Sequence, residues 1–378
     1  MSRTVYLHVG IAKTGTTYLQ RTLFANRALL ERHGTRYPGP GPAAHFFGSL
    51  DLRGTTFQGH AYSRAEGAWA RLVAQADAFD ANTLISHETL AHATPDDIRR
   101  AVTGFSTDDV RVVITCRDLA RQLPAMWQEK VKNRSATRYS AFLTKAFADW
   151  ARDGGPTGAF WRAQHVEGLV SRWADAVGPD SVLVVTVPPP GADPMELWNR
   201  FVRATQLPDV DYAFADDGGN SSLGVAEAET LRRLNPLLAD RLDWPQYDAL
   251  VKKGFAVSVL ATGDSTGRLG LPARWHPQVS EMADATVSFL TSSGVRVVGD
   301  PGDLVPQLAG PPARQPEDLD DSEVLDVALR AVAELLVTPA DVAPAADLDV
   351  RRALDSGWLR LGDLGRVARQ AAKRVRRR

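Results

Sequence analysis

The chain has 378 residues, of which 44% are apolar and 24% charged, and this globular composition excludes wholesale disorder. Its 44 basic and 45 acidic residues nearly cancel, so the overall charge shows no sign of a nucleic-acid partner or a broad membrane-binding surface. A single cysteine, Cys116, excludes an internal disulfide framework and a multi-cysteine metal site.

Short β-branched runs alternate with helical patterns over the first half of the chain. Strands are predicted at Thr4–Val9, Thr83–Ser86, Val110–Thr115 and Ser181–Val187. Helices are predicted at Tyr18–His33, 63–80, Pro95–Val102, 119–134 and Phe160–Val177. This alternation favours an α/β fold of three layers, in which a mostly parallel sheet is covered by helices on both faces.

The second half of the chain reads differently. From residue 223 the pattern is mainly helical, with a late strand predicted at Val295–Val298. The Pro/Gly-rich stretch 301–316 reads as a linker, and helices are predicted at 320–337 and 347–378. We therefore predict a domain at 1–300, a linker at 301–316 and a helical C-terminal extension at 317–378.

The end of that extension, residues 366–378, carries seven basic side chains and no acidic one. Such a tail is typical of a solvated helix end, and peripheral contact with anionic lipid or polysaccharide is the alternative. No apolar run approaches the roughly 20 residues that span a bilayer. The N-terminus lacks the features of a signal peptide, so we expect a cytosolic soluble protein.

The most informative stretch is HVGIAKTGTT at residues 8–17, between the first strand and the first helix. Gly10 and Gly15 have the spacing of the glycines in the P-loop motif Gly-x4-Gly-Lys-Ser/Thr, but Thr16 replaces the lysine of that motif. The lysine of this loop is Lys13 instead. The loop is suited to a phosphate group, yet it lacks the usual arrangement for a nucleoside triphosphate with magnesium. A plain Gly/Thr turn that enters a helix is the alternative.

The Lys-Thr-Gly-Thr-Thr sequence resembles the 5′-phosphosulfate-binding loop of sulfotransferases that use PAPS, 3′-phosphoadenosine-5′-phosphosulfate. In that family the loop amides, a lysine and hydroxyl groups hold the 5′-phosphate and the sulfuryl group. The resemblance implies these roles for Lys13, Gly15, Thr16 and Thr17, with Thr14 contributing through its backbone. It also implies the P-loop NTPase-like fold of the family.

A second anchor follows the third predicted strand, at Arg117 and Asp118. An arginine at the carboxyl end of a strand is expected in the crevice where open α/β sheets bind ligands, and its planar fork suits a phosphate. A surface ion pair between Arg117 and Asp118 is the alternative.

This segment resembles the 3′-phosphate-binding segment of the same family, Arg-Asp-Pro with a serine eight residues after the arginine. Arg117 and Asp118 match that pattern, whereas Leu119 stands in place of the proline and Ala125 in place of the serine. The resemblance therefore implies a phosphate contact from Arg117 and the loss of one hydroxyl contact at Ala125. The candidates to compensate for that loss are Gln122, Gln128 and Lys132.

A candidate general base lies in the sequence Ser86-His87-Glu88, directly after the second predicted strand. We expect it at the same edge of the sheet as the two anion-binding segments. Sulfotransferases use a histidine or a glutamate as base, and the Ser-x-Glu form of carbohydrate-modifying and many bacterial members favours Glu88 over His87. Adjacent residues of an extended segment point to opposite sides, so one of the two should face the acceptor. A helix N-terminal Ser/Glu pair is the non-catalytic alternative.

The resemblance covers roughly residues 1–300 and implies a bacterial-type cytosolic sulfotransferase. Such an enzyme would transfer the sulfuryl group of PAPS to a hydroxyl of a glycan, a lipid or a small natural product, releasing 3′,5′-adenosine bisphosphate without a metal. Glu88 or His87 would take the acceptor proton, and Lys13 would stabilise the leaving phosphate oxygen. Two alternatives stay open: a nucleotide-dependent kinase of related fold, which the displaced lysine disfavours, and a catalytically silent nucleotide-binding module.

Overall fold

The structure is a computed structural model that describes residues 3–152, 156–214, 222–261, 267–308 and 313–337. The helix predicted at 347–378, which includes the basic tail 366–378, lies outside the described residues. Within the part of the chain that is described, no helix is long and apolar enough to cross a membrane.

A single sheet of six strands, all of them parallel to their neighbours, forms the centre of the fold. In chain order the strands are β1 (Val5–Gly10), β2 (Thr35–Arg36), β3 (Asn82–Ser86), β4 (Val110–Cys116), β5 (Val182–Thr186) and β6 (Arg296–Val298). Their order across the sheet is β2-β3-β1-β4-β5-β6. The predicted parallel sheet is confirmed, including its late strand, while β2 is too short to show a pattern in the sequence.

The described residues form fourteen α-helices. They are α1 (Thr16–Ala25), α2 (Arg27–Arg32), α3 (Ala44–Leu52), α4 (Ala68–Asp77), α5 (Pro95–Thr103), α6 (Leu119–Lys132), α7 (Tyr139–Trp150), α8 (Gly158–Gln164), α9 (Val166–Val177), α10 (Glu196–Thr205), α11 (Val225–Leu238), α12 (Trp244–Tyr247), α13 (His276–Ser292) and α14 (Asp321–Val337). Short 3-10 helices occur at Ser63–Ala65, Glu88–His92, Pro179–Ser181, Ala273–Trp275, Pro301–Leu304 and Pro316–Asp318, and a π-helix at Asp248–Leu260.

The residues of the sheet alternate between two hydrophobic cores, one on each face. Leu7 and Val112 belong to the core that includes residues of α5 and α9. Tyr6 and Val113 belong to the core that includes residues of α1 and α10. Because both faces of the strands are apolar and both are covered by helices, the α/β fold of three layers is confirmed.

The chain divides into two compact units, each assembled from segments that are not contiguous. The first comprises Met1–Leu123, Leu143–Asp217 and Leu271–Pro311 and contains the whole sheet. The second comprises Pro124–Phe142, Gly218–Gly270 and Pro312–Arg378, and its described elements are helical. The division into 1–300, 301–316 and 317–378 stays a prediction.

Three of the predicted helices are wrong as single elements. The one at Tyr18–His33 is interrupted at Asn26, whose side chain bonds the backbone of Ala213 from both its oxygen and its nitrogen. The one at Phe160–Val177 is interrupted at His165, which has extended backbone angles. The one at 63–80 becomes a 3-10 turn and α4, separated by Gly67 at a φ of 64°. Side-chain bonds to a backbone compete with helix continuation, and a positive φ ends it.

Candidate active site

Three adjacent strands, β3, β1 and β4, end at the same edge of the sheet. The segment 86–88, the loop that starts at Gly10 and the segment 116–118 follow directly from those strands. Chain order reverses across β1, and open α/β sheets bind ligands at such a switch point, beyond the carboxyl ends of the strands. The structure therefore brings the predicted loop, the candidate base and Arg117 to one edge. Ala125 belongs to the second unit.

The loop from Gly10 to Gly15 adopts an unusual backbone conformation. Gly10, Lys13 and Gly15 have φ angles of 93°, 69° and 83°, all in the left-handed region. That region suits glycine but is unfavourable for lysine, and such strain concentrates at functional sites. Gly15 is the N-cap of α1 and provides no side chain to cap it. The first-turn N–H groups of α1, those of Thr16 and Thr17 included, thus receive no cap from the side chain before the helix, which leaves them available to another acceptor such as an anion.

The start of the loop is tied to the protein interior. The amide of Ile11 donates to the carbonyl oxygen of Thr115 at 2.7 Å. The side-chain amide of Gln122 donates to the carbonyl oxygen of Ala12 at 2.6 Å and to Gln164 at 2.8 Å. These bonds fix the backbone of the loop in the absence of a ligand. They also direct the carbonyl oxygen of Ala12 toward Gln122, where it would not repel an anion bound at the loop.

Glu88 contacts the start of the loop and the helix that follows the loop. A Cβ added to Gly10 would lie 2.7 Å from the Cβ of Glu88, so the two backbones are in close contact. The side chain of Gln20, on α1, donates to the Glu88 carboxylate at 2.9 Å. Burial raises the pKa of Glu88, but the attraction of His87 when its ring is protonated at low pH and the hydrogen bond from Gln20 lower it by more, so that this pKa lies below its ordinary value. Glu88 is therefore an ionised carboxylate at neutral pH.

His87, the neighbour of Glu88, makes different contacts. Its Nδ1 accepts a hydrogen bond from the amide of Thr89 at 3.2 Å and lies 2.8 Å from the Thr89 hydroxyl. Its ring lies 5.3 Å from the ring of Phe46, measured between centroids. Burial lowers the pKa of His87, so the imidazole is neutral at neutral pH. His87 thus caps the 3-10 helix Glu88–His92. The non-catalytic alternative from the sequence had instead placed a Ser/Glu pair at the start of this helix.

Arg117 is a cation whose nearest carboxylate bonds elsewhere. Asp118 pairs with Arg121 and accepts the amide of Arg121 at 2.9 Å, which caps α6. One terminal nitrogen of Arg117 donates to the carbonyl oxygen of Arg121 at 2.9 Å, while its Nε is buried and unpaired. Burial and the charge of Arg121 lower the pKa of Arg117 to about 10, against the opposing effect of Asp118. The guanidinium is still charged at neutral pH, and a bound anion would stabilise it.

A small cavity lies behind the loop. It is lined in part by Ile11, Arg117, Gln122 and His165. Its volume of about 20 Å³ suffices for roughly one water molecule. The cavity is therefore too small for a nucleotide.

Several site contacts come from residues that the sequence did not single out. Gln20 and Thr115 were not assigned roles, although a polar residue such as Thr115 inside a buried β-branched run is a usable signal. The sequence suggested Gln122 only as a replacement for the serine that is absent at position 125. In the structure its side-chain amide instead bonds the backbone of the loop at Ala12. The other two substitutes, Gln128 and Lys132, belong to the second unit. Among the described residues, no group of three or more His, Cys, Asp or Glu side chains is arranged to hold a metal ion.

Neither a protein-family model nor a curated protein sequence matches the chain. A crystal structure of a sulfotransferase from Alicyclobacillus acidocaldarius is similar over 66% of this chain and 96% of that one, with 18% sequence identity and a TM-score of 0.37. Similarity at this level does not carry residue roles from one chain to the other.

Proposed function

We propose that this protein is a sulfotransferase that transfers the sulfuryl group of PAPS to a hydroxyl of a glycan, a lipid or a small natural product. The observation that carries the proposal is the placement of the Glu88 carboxylate against Gly10 of the glycine loop that leads into α1, a loop suited to an anion. A proton acceptor and an anion site in contact are what sulfuryl transfer to a hydroxyl requires.

The residues present fit a donor with two separate anionic groups. The loop amides, Lys13, Thr16 and Thr17 would hold the 5′-phosphosulfate, because the backbone there is already folded with its first-turn N–H groups available. Arg117 would hold the 3′-phosphate, because its charge is partly buried and its Nε has no partner.

When bound, PAPS supplies an activated sulfuryl group. Glu88 would accept the proton of the acceptor hydroxyl while the acceptor oxygen forms its bond to sulfur and the bond from sulfur to the phosphate oxygen breaks. Lys13 and the loop amides would stabilise the negative charge that develops on that phosphate oxygen. The proton ends on Glu88, and the products are a sulfate ester and 3′,5′-adenosine bisphosphate.

The nucleotide preference of the loop separates this function from that of a kinase. We expect 3′,5′-adenosine bisphosphate to bind more tightly than ATP with magnesium in isothermal titration calorimetry. Lys13→Ala should weaken that binding by at least about tenfold, since it removes a charge-assisted contact. Lys145→Ala is the matched control, because Lys145 is mostly exposed and paired with Asp149. Tighter, magnesium-dependent binding of ATP would contradict the proposal.

The role of Arg117 is testable by comparing two nucleotides. Arg117→Gln should weaken binding of 3′,5′-adenosine bisphosphate by about tenfold and leave binding of 5′-AMP nearly unchanged, because the charged contact involves the 3′-phosphate alone. Arg203→Gln, at an exposed arginine paired with Glu196, is the control. Equal losses for both nucleotides would show that Arg117 does not recognise the 3′-phosphate.

A silent module would bind nucleotide without catalysis. Transfer of radiolabelled sulfate from PAPS to a panel of phenol, monosaccharide and lipid hydroxyls distinguishes it from an enzyme. We expect transfer to at least one class of acceptor. Binding of adenosine bisphosphate with no transfer to any member of a broad panel would favour the silent module.

A further inference from the structure

A chain of buried hydrogen bonds runs behind the loop across the three strands that end at the site. The hydroxyl of Ser86, on β3, lies 2.7 Å from Nδ1 of His8, on β1. Nε2 of His8 lies 3.2 Å from the hydroxyl of Thr115, on β4. That hydroxyl contacts the hydroxyl of Thr14, which donates to the carbonyl oxygen of Ile11 at 2.5 Å. The side chains that form this chain are at most 1% exposed.

The direction of every bond in this chain follows from the number of protons available. The single proton of the Thr14 hydroxyl goes to Ile11, so Thr115 must donate to Thr14. Thr115 then has no proton left for His8, so Nε2 of His8 must be the donor. In a neutral imidazole the other nitrogen is an acceptor, so Ser86 donates to Nδ1 of His8. One tautomer of His8 satisfies the whole chain.

A second histidine fixes the other side of Ser86. The amide of Ser86 donates to Nδ1 of His45 at 3.1 Å, and Nε2 of His45 lies 2.8 Å from the carbonyl oxygen of Pro38. Burial lowers the pKa of His8 and the pKa of His45 to about 4 each. Both rings are therefore neutral at neutral pH, and Ser86 is fixed through its amide and its hydroxyl.

We propose that His8, held as its neutral Nε2–H tautomer, is a positioning residue that shapes the anion-binding loop through Thr115 and Thr14. The bond from Thr14 turns the carbonyl of Ile11 inward, as Gln122 does for the next carbonyl. An anion at the loop then meets N–H groups rather than carbonyl oxygens, as an anion-binding nest requires. The proposal extends the proposed function, since it assumes that the loop binds an anion.

A simple packing role for His8 makes a different prediction. The imidazole also lies edge-on to the ring of Phe201, at 5.0 Å between centroids, and an apolar side chain could fill that space. It would leave the hydroxyl of Thr115 without the donor it now has, which is unfavourable in a buried site. A positioning role requires a hydrogen-bond donor at the place of Nε2, whereas a packing role requires only a side chain of similar volume.

The tautomer can be measured without any ligand. In protein labelled with ¹⁵N-histidine, a long-range ¹H–¹⁵N spectrum at pH 7 should show the His8 ring as neutral and protonated at Nε2, with no titration between pH 7 and about 5. The resonance is assigned by its loss in His8→Gln. A proton at Nδ1, or a titration midpoint near the ordinary histidine value, would overturn the proposal.

Two conservative variants separate positioning from packing. The amide of glutamine can place a donor near the position of Nε2, whereas that of asparagine reaches only the position of Nδ1. We expect His8→Gln to bind 3′,5′-adenosine bisphosphate within about threefold of the unmodified protein and His8→Asn to bind it at least about tenfold more weakly. His33→Asn, at an exposed position, is the control and should have no effect. Equal loss in both His8 variants, accompanied by a lower melting temperature, would indicate packing alone.

A double substitution completes the test. Thr115→Val should weaken nucleotide binding about as much as His8→Asn, and the two together should be no worse than either alone, because they interrupt the same chain. Additive losses would overturn the proposal. If the unmodified protein binds no adenosine bisphosphate, the proposed function fails, while the tautomer of His8 still decides whether this chain exists.

Discussion

Replacing Glu88 with glutamine should lower sulfuryl transfer by about 10²–10⁴-fold, the usual contribution of a general base, and leave the affinity for 3′,5′-adenosine bisphosphate nearly unchanged. Glutamine has the same shape and still accepts the hydrogen bond from Gln20, but its amide cannot take a proton. The measurement is the initial rate with radiolabelled PAPS and any acceptor found in the panel. The control is Glu31→Gln, at a half-exposed carboxylate paired with Arg36.

The same experiment decides between Glu88 and His87. His87→Gln should lower the rate far less, because Nδ1 of His87 already accepts the amide N–H of Thr89 and so caps the 3-10 helix. If His87→Gln abolished transfer while Glu88→Gln kept most of it, the assignment of the base would be wrong.

The pH dependence follows from the same carboxylate. A base acts in its deprotonated form, and the pKa of Glu88 lies below its ordinary value. The rate should therefore be flat with respect to Glu88 across neutral pH and fall only as the pH drops through that lowered pKa. A fall in rate between about pH 7 and 6 would contradict Glu88 as the base. Because burial also lowers the pKa of His87, the choice between the two residues depends on the variants above.

Gly10→Ala should destabilise the protein and impair catalysis together. A Cβ at this position would lie 2.7 Å from the Cβ of Glu88 and 2.8 Å from its Cα, so the backbone of the base segment would have to move. The φ of 93° adds strain of about 1–2 kcal/mol for any residue other than glycine. We expect a loss of stability of about 2–4 kcal/mol in urea unfolding and a rate at least about tenfold lower.

The control variant separates the cost of backbone strain from the cost of displacing the Glu88 segment. Gly178 also has a positive φ, of 81°, but an added Cβ meets nothing within 4 Å. Gly178→Ala should show the backbone strain alone, about 1–3 kcal/mol at its φ of 81° and ψ of 149°, with an unchanged rate. A Gly10→Ala variant no more affected than Gly178→Ala would mean that the close contact between Gly10 and Glu88 is not required.

The central architecture could be predicted because its signals are local. Runs such as Val110–Cys116 combine β-branched residues with apolar character on both faces, which identifies a buried parallel strand without reference to the rest of the chain. The glycine pattern at Gly10 and Gly15 predicted a loop between a strand and a helix, and the structure has that loop between β1 and α1. The shared edge of the three segments then followed from the rule that parallel strands carry their sites at their carboxyl ends.

The interruption of the first predicted helix could not be predicted from the sequence, because its cause lies far away along the chain. Asn26 ends α1 while its side chain bonds the backbone of Ala213, which is 187 residues away. The local pattern across Asn26 is helical, and a side-chain bond of that range leaves no periodic trace. Tertiary contacts override local propensity at such points.

The sequence by itself determined the parallel sheet, the position of the glycine loop after the first strand and the set of polar side chains at one edge of the sheet. Only the tertiary structure decided which partner each of these side chains takes, whether that partner is a near neighbour in sequence or lies on another element. Gln20 bonds Glu88, Thr89 bonds His87, and Arg121 rather than Arg117 pairs with Asp118. The bond between Thr115 and His8 joins residues 107 positions apart, so no local pattern of the sequence identifies this partner. Periodicity encodes which face of an element is buried, whereas the partner of a buried polar atom is set by packing between elements.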